Sequence, residues 1–210
     1  MLNRRTFAQL AGAVALAGVF AAPAMAADMA PDAMVQKIST ETLAAIKADR
    51  AMQAGDVNRI MSLVDGKLMP HVNFERVTGM AVGPKWRSAT PAQKQQLQQE
   101  FKKLLVRSYA GAFKMAANKE VKMQPMRGAA TGSTAQVNSQ LVGGGSSTAL
   151  NYRLERAPSA AMGWRVYDVA VAGVWQSSRY NNEFKAIVNS KGIDGLIASL
   201  TEKNKSNAGK

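Results

Sequence analysis

The sequence predicts an α+β domain in which helices pack on one face of a curved antiparallel sheet. Three observations carry this. Apolar residues recur at helical spacing from residue 31 to about residue 115, short alternating stretches separated by glycine-rich turns begin at Glu120, and helical spacing returns after residue 177. Short links between successive strands indicate an antiparallel meander. Helices, then strands, then helices fit an α+β arrangement with one buried sheet face.

The chain opens with Arg4 and Arg5, an uncharged Ala/Gly/Val/Leu run to Phe20, then Pro23 and Ala24-Met25-Ala26. A basic start, a short apolar run and a small-x-small site form a secretory signal, so residues 1–26 are expected to be removed on export. The run is shorter than the ~20 apolar residues that span a bilayer. Arg4-Arg5-Thr6-Phe7 also resembles the twin-arginine export pattern, from which Ala8 and Gln9 depart. Residues 27–204 are read as one domain and residues 205–210 as a flexible tail. The sequence has no cysteine, which removes disulfides and thiolate metal sites. Its formal charge is +13, and a basic surface attracts phosphate, on nucleic acid or on anionic lipid. Export favours lipid, although the lysines and arginines are scattered rather than gathered in one block.

Taken in order, Met34, Ile38 and Leu43–Ile46 give an amphipathic helix over 31–50, with Pro31 suited to its first turn. Gly55 closes it, and Asp56 caps a second helix with Val57, Ile60, Met61, Val64 and Leu68 inward, ended by Pro70. A short segment, Val72 to Val77, leads to a break at Gly79–Pro84. Thr90-Pro91-Ala92-Gln93 is a capping box with proline at the first helical position, so a long helix starts there. It runs to about Met115 with Leu97, Phe101, Leu104, Leu105, Ser108 and Ala112 in register, flanked by Tyr109 and Phe113.

Strands are expected over about 120–126, 134–142, 147–156 and 164–172, giving a sheet of about four strands. Two helices follow over about 177–190 and 194–204, divided at Gly192. The last strand, in Gly163-Trp164-Arg165-Val166-Tyr167-Asp168-Val169-Ala170-Val171-Ala172-Gly173-Val174, has no wet side. Strict alternation puts Trp164, Val166, Ala170 and Val174 on one face and Tyr167, Val169 and Val171 on the other. Something apolar must cover both.

Known catalytic patterns are missing from the sequence. It contains no G-x-S-x-G elbow, Walker loop, H-E-x-x-H or dinucleotide fingerprint, and Gly143-Gly144-Gly145 joins two strands as a hairpin turn. His71 is the single histidine, so a transition-metal site has too few ligands. Asp168 is the ionisable group that stands out. A carboxylate in an apolar strand is hydrogen-bonded, ion-paired or shifted in pKa. It either anchors a helix or loop, or serves as general base of an isomerase or dehydratase on a hydrophobic substrate. The surplus of strand aliphatics and the methionines, Met61, Met69, Met80, Met115, Met123 and Met126 among them, suggest a cavity that accepts variable apolar shapes.

Pro70-His71-Val72-Asn73-Phe74, Lys85-Trp86-Arg87-Ser88-Ala89-Thr90-Pro91-Ala92-Gln93-Lys94 and Leu97…Phe101…Leu104…Tyr109-Ala110 together resemble the MlaC (toluene-tolerance) family. So do Trp164…Tyr167-Asp168-Val169…Gly173-Val174, Tyr180…Phe184 and Lys191-Gly192-Ile193-Asp194-Gly195-Leu196-Ile197…Leu200. The resemblance spans roughly residues 32–203, with Trp175 departing from the small polar residue expected after Gly173-Val174. It implies a nuclear-transport-factor-like cone enclosing an apolar cavity, and a non-enzymatic periplasmic carrier of phospholipid. The implied route runs between the outer membrane, at a lipoprotein–porin complex, and an inner-membrane ABC transporter with a ring-forming MCE-domain protein, maintaining outer-membrane lipid asymmetry. Hopanoid-like lipid is an alternative cargo.

Combined with the apolar pattern, the resemblance implies lipid-lining roles for Val72, Phe74, Val77, Tyr109, Phe113, Val137, Leu150, Tyr152, Val166, Val169, Val171 and Trp175. Lys85 and Arg87 would stand at the entrance near the headgroup. A hinge is expected near Gly79–Pro84 or Gly111. No catalytic residue, metal or cofactor is implied, phospholipid being bound as cargo, and nucleic acid is not an expected partner.

Overall fold

A computed structural model describes residues 29–126 and 132–206. The export reading of residues 1–26 therefore lies outside the described residues, as do residues 207–210. The chain begins with α1 (Pro31–Ala48), α2 (Arg50–Ala54) and α3 (Val57–Leu63). Asp56 caps α3 as expected, accepting from the N–H groups of Asn58 and Arg59. The helix does not run on to Leu68, however: after Leu63 it widens into a π-helical turn, Val64–Leu68, followed by a 3-10 turn, Met69–His71. Then come α4 (Phe74–Val82), a 3-10 turn over Pro84–Ser88, and α5 (Pro91–Ala116). At the start of α5 both halves of the capping box form between Thr90 and Gln93.

The sheet is an antiparallel meander of five strands in chain order: β1 (Glu120–Met123), β2 (Thr134–Gly143), β3 (Ser146–Arg156), β4 (Trp164–Val171) and β5 (Val174–Trp175). The two-residue β5 has no separate signal in the sequence. The chain then enters α6 (Gln176–Ser206), which is broken at Gly192 by a positive φ of 69°. Such a backbone is easy only for glycine, and the break falls where the sequence divides the two expected helices. The second part extends through Ser206, beyond the predicted boundary at residue 204. Asn204 fastens it by donating to the Glu100 carbonyl at 2.9 Å and to its carboxylate at 2.8 Å.

The buried side chains fall into three clusters. The largest joins α4, α5 and α6 through Val77, Leu97, Phe101, Leu104, Tyr180, Phe184, Leu196 and Leu200. Phe101 is its hub, with the rings of Tyr180 and Phe184 meeting it edge-on at 4.9 and 5.4 Å between centroids. A second cluster packs Met34 and Val35 of α1 against Val137, Leu154, Trp164 and Val166 of the sheet. A third lies under the early helices, where Ile46, Ile60 and Leu63 meet Val106 and Ala116.

Strict alternation fails within β4. Leu150, Tyr152 and Arg153 pair with Val171, Val169 and Asp168, but Leu154 pairs with Val166, so Tyr167 is an extra, bulged residue. Directly paired residues share a face, and a bulge shifts the alternation by one. Val166, Val169 and Val171 thus share one face with Leu150, Tyr152 and Leu154. Asp168 and Ala170 take the other. This corrects the expected split of the strand.

Replacing Phe101 by Ala removes the common neighbour of three other rings, Phe74, Tyr180 and Phe184, and is expected to lower unfolding free energy by about 3–5 kcal/mol. Urea denaturation followed by circular dichroism measures this.

Candidate functional site

Between α5, the stretch from the π turn through α4, and β4 lies a cavity of about 280 Å³. The long helix contributes Lys102, Leu105, Val106, Tyr109 and Phe113, whose spacing of 3, 4, 7 and 11 residues puts them on one helical face. Leu97, Phe101 and Leu104 turn instead toward α4 and α6. The opposite helical wall is Val64, Leu68, Met69, Val72, Phe74 and Val77, and the sheet supplies Val166, Asp168, Val169 and Val171, with Gln176 at the start of α6. The Tyr167 bulge is what aims three β4 valines at this one space. A larger depression of about 510 Å³ is formed by α4 and the turn after it alone, from Arg76, Gly79, Met80, Gly83, Pro84, Trp86 and Arg87. It does not lie between the layers.

Of the twelve expected lining residues, Val72, Phe74, Val77, Tyr109, Phe113, Val166, Val169 and Val171 border the cavity together. The other four stand elsewhere. Val137 is fully buried and Tyr152 partly so in the cluster where α1 covers the sheet. Leu150 is half-buried, paired with Val171, and does not line the cavity. Trp175 sits in β5 under the Arg153 guanidinium, 3.8 Å from its ring centre. Lys85 and Arg87 are exposed on the 3-10 turn and do not line the cavity, Arg87 bordering the other depression instead. Sequence reasoning placed Val64 in the core of a regular helix, and passed over Lys102, Val106 and Gln176. The i, i+3, i+4, i+7 series from Lys102 was the available signal.

Asp168 is occupied as an anchor. Its side chain has no solvent exposure. Its oxygens accept from Ser177 Oγ at 2.6 Å, the Ser177 N–H at 3.1 Å, the Val169 N–H at 3.0 Å and Arg153 Nη1 at 3.5 Å. A carboxylate at the first turn of α6 satisfies amide groups that have no partner within the helix. Among the described residues no group of three His, Cys, Asp or Glu side chains is placed to hold a metal ion.

Tyr109 is the polar element of the α5 wall. Its hydroxyl donates to Gln176 Oε1 at 2.5 Å and accepts from Arg179 Nη1 at 3.4 Å, while Gln176 Nε2 donates to the Val174 carbonyl. Burial pushes the Tyr109 phenol above its ordinary pKa, and burial does the same to Tyr152, beside Ser139 and Ser39. As pH rises past about 10 the unfolded chain releases these protons first, so the folded state binds more protons and stability falls. The Tyr109→Phe/Tyr152→Phe variant is expected to lose less stability than the wild type between about pH 8 and about pH 11, as read from urea midpoints at each pH.

Residues 36–202 match the family described as MlaC protein. The intermembrane phospholipid transport system binding protein MlaC of Haemophilus influenzae is 23% identical over 177 residues, covering 84% of this chain and 83% of that protein. The toluene tolerance protein ttg2D of Pseudomonas putida is 26% identical over 166 residues, covering 78% of this chain and 75% of that one. Among solved structures, a phospholipid-binding protein from Ralstonia solanacearum in complex with a phospholipid superposes with a TM-score of 0.79 at 38% identity. That match covers 84% of this chain and 98% of the other. With the family match spanning most of its length, the chain belongs to the MlaC family.

Proposed function

We propose that the protein is a periplasmic carrier that shelters phospholipid acyl chains in the cavity between α5 and β4. In this reading it shuttles lipid between the outer membrane and an inner-membrane ABC transporter. The observation that carries the proposal is the wall itself: aliphatic and aromatic side chains from both layers converge on one space, and its few polar side chains are each engaged by a protein partner. The phospholipid complex of the Ralstonia solanacearum protein supports the cargo class, and the family supports the route. The partners would be an outer-membrane lipoprotein–porin complex and a ring-forming MCE-domain protein of the transporter.

About 30 chain methylenes at ~0.8 kcal/mol each cost roughly 25 kcal/mol to expose to water. The carrier must therefore replace nearly all of the bilayer's shelter without exceeding it, or delivery would stall. A methylene needs nearly the ~30 Å³ of a liquid water, so a cavity of about 280 Å³ holds on the order of ten. Full loading thus requires the walls to part. Helices shifting from the sheet, with a hinge near Gly79–Pro84 at the end of α4 or at Gly111 within α5, would supply the room.

An isomerase or dehydratase using Asp168 would need that carboxylate free to take a proton, whereas four donors hold it. Asp168→Asn is expected to keep bound lipid as long as it folds. Native mass spectrometry of the purified protein is expected to show a phospholipid adduct, and its absence under lipid-retaining conditions would overturn the carrier reading. Val169→Trp, which fills the cavity from β4, is expected to lose most of the adduct while costing about 1–3 kcal/mol of stability.

A further inference from the structure

We propose that Lys102 holds the phosphate of the bound lipid at the cavity mouth, exchanging it for the carboxylate of Asp65. The inference rests on the phospholipid-carrier reading and adds the residue that orients the cargo. Among the residues lining the cavity only Lys102 and Asp168 are charged. Asp168 has no solvent exposure and is occupied by Ser177, Val169 and Arg153. Lys102 differs: its side chain is 26% exposed, and its ammonium donates at 2.6 Å to Asp65, itself 48% exposed. This pair stands where the apolar wall meets water.

Asp65 belongs to the π-helical turn whose Val64 and Leu68 line the same cavity. One turn thus carries both the apolar wall and the resident anion, and such π turns recur at functional sites. Along α5 the cavity face runs from Lys102 to Phe113, roughly 16 Å at 1.5 Å per residue. A cation marks one end and an aromatic ring the other, the polarity that a phosphodiester with acyl tails requires. At Tyr109 the polar atoms are already matched to Gln176 and Arg179, leaving Lys102 as the lining cation. A water-facing ion pair is weak, so phosphate displaces carboxylate at small cost. A lysine is a flexible point charge without the planar geometry of arginine, and it reads the phosphate common to all phospholipids rather than one headgroup.

The test compares delipidated mature protein binding two lipids with identical oleoyl tails, phosphatidylglycerol and uncharged diacylglycerol, supplied in vesicles. Lys102→Met is expected to weaken phosphatidylglycerol binding about tenfold and leave diacylglycerol unchanged, while Lys102→Arg keeps both. Asp65→Asn, which leaves Lys102 in place, is expected to tighten phosphatidylglycerol binding alone. Equal loss of both lipids in Lys102→Met would assign the residue to packing and overturn the proposal, as would unchanged phosphatidylglycerol binding in both Lys102→Met and Asp65→Asn. Inorganic phosphate alone is expected not to displace either lipid; selective displacement of phosphatidylglycerol would reassign Lys102 to free phosphate. A wild type that binds neither lipid would overturn the carrier reading itself, and this proposal with it.

Discussion

Tyr167 is one residue more than β3 can pair, and the cavity depends on that surplus. Without it, Val166 would lie opposite in face to Val169 and Val171. With it, the three valines look into one space, and Asp168 is turned beneath the start of α6 to receive Ser177. The bulged side chain is itself held, because the Arg76 guanidinium lies 3.6 Å from the Tyr167 ring centre and also bonds Glu155, which accepts from Asn73. The Asn73 N–H donates to the Val166 carbonyl at 2.8 Å, tying the segment leading into α4 to the free edge of β4. One irregularity therefore aims the wall, seats α6 and docks α4.

The helical side answers this by packing tightly in one place and loosely in another. Phe101, Tyr180 and Phe184 interlock α5 with α6, and an interior of this kind resists volume change. On the next face of the same helix, Leu105, Tyr109 and Phe113 line the cavity together with the valines of β4. The π turn sits at the edge of the gap and buries none of its five residues fully. A tightly packed core beside a thinner, softer wall would let the cavity change size without unfolding the domain. Met69, an unbranched side chain that conforms to irregular neighbours, lies in that soft wall.

Local chemistry explains how much of this was legible in the sequence. The capping box at Thr90 and Gln93, the helix break at Gly192 and the meander from Glu120 each arise from residues close in the chain, and each stands in the structure near its expected place. The bulge does not arise this way. It is defined by the count of residues on β3 as much as on β4, so alternation within one strand misassigned the faces. The π turn was hidden for a similar reason: Val57, Ile60, Val64 and Leu68 fit a regular helix, and nothing in their spacing marks the wider turn. Val137 and Tyr152 share the cavity's sheet face by parity, but α1 covers that end of the sheet. Lys102 was lost among many scattered lysines, because charge alone does not say which one stands at the end of an apolar stripe.

The position of charge also bears on how a carrier lets go. Tail burial supplies a large, unspecific attraction that the bilayer matches methylene for methylene, so it cannot by itself set direction. A cation buried deep in the cavity would add an attraction that the membrane lacks, and the lipid would be trapped. On the proposed reading, with Lys102 at the water-facing end and Asp65 on a neighbouring turn, the ammonium would be neutralised before and after transfer. The phosphate would then leave one weak ion pair as Asp65 re-forms another, and while lipid is bound the released carboxylate, 48% exposed, is solvated by water. Anything that draws the π turn aside would remove Asp65 and open the wall formed by Val64 and Leu68 in the same movement, because all three sit on one turn of five residues. On the proposed carrier reading, loading and release would couple to docking through this turn rather than through the tightly packed aromatic core.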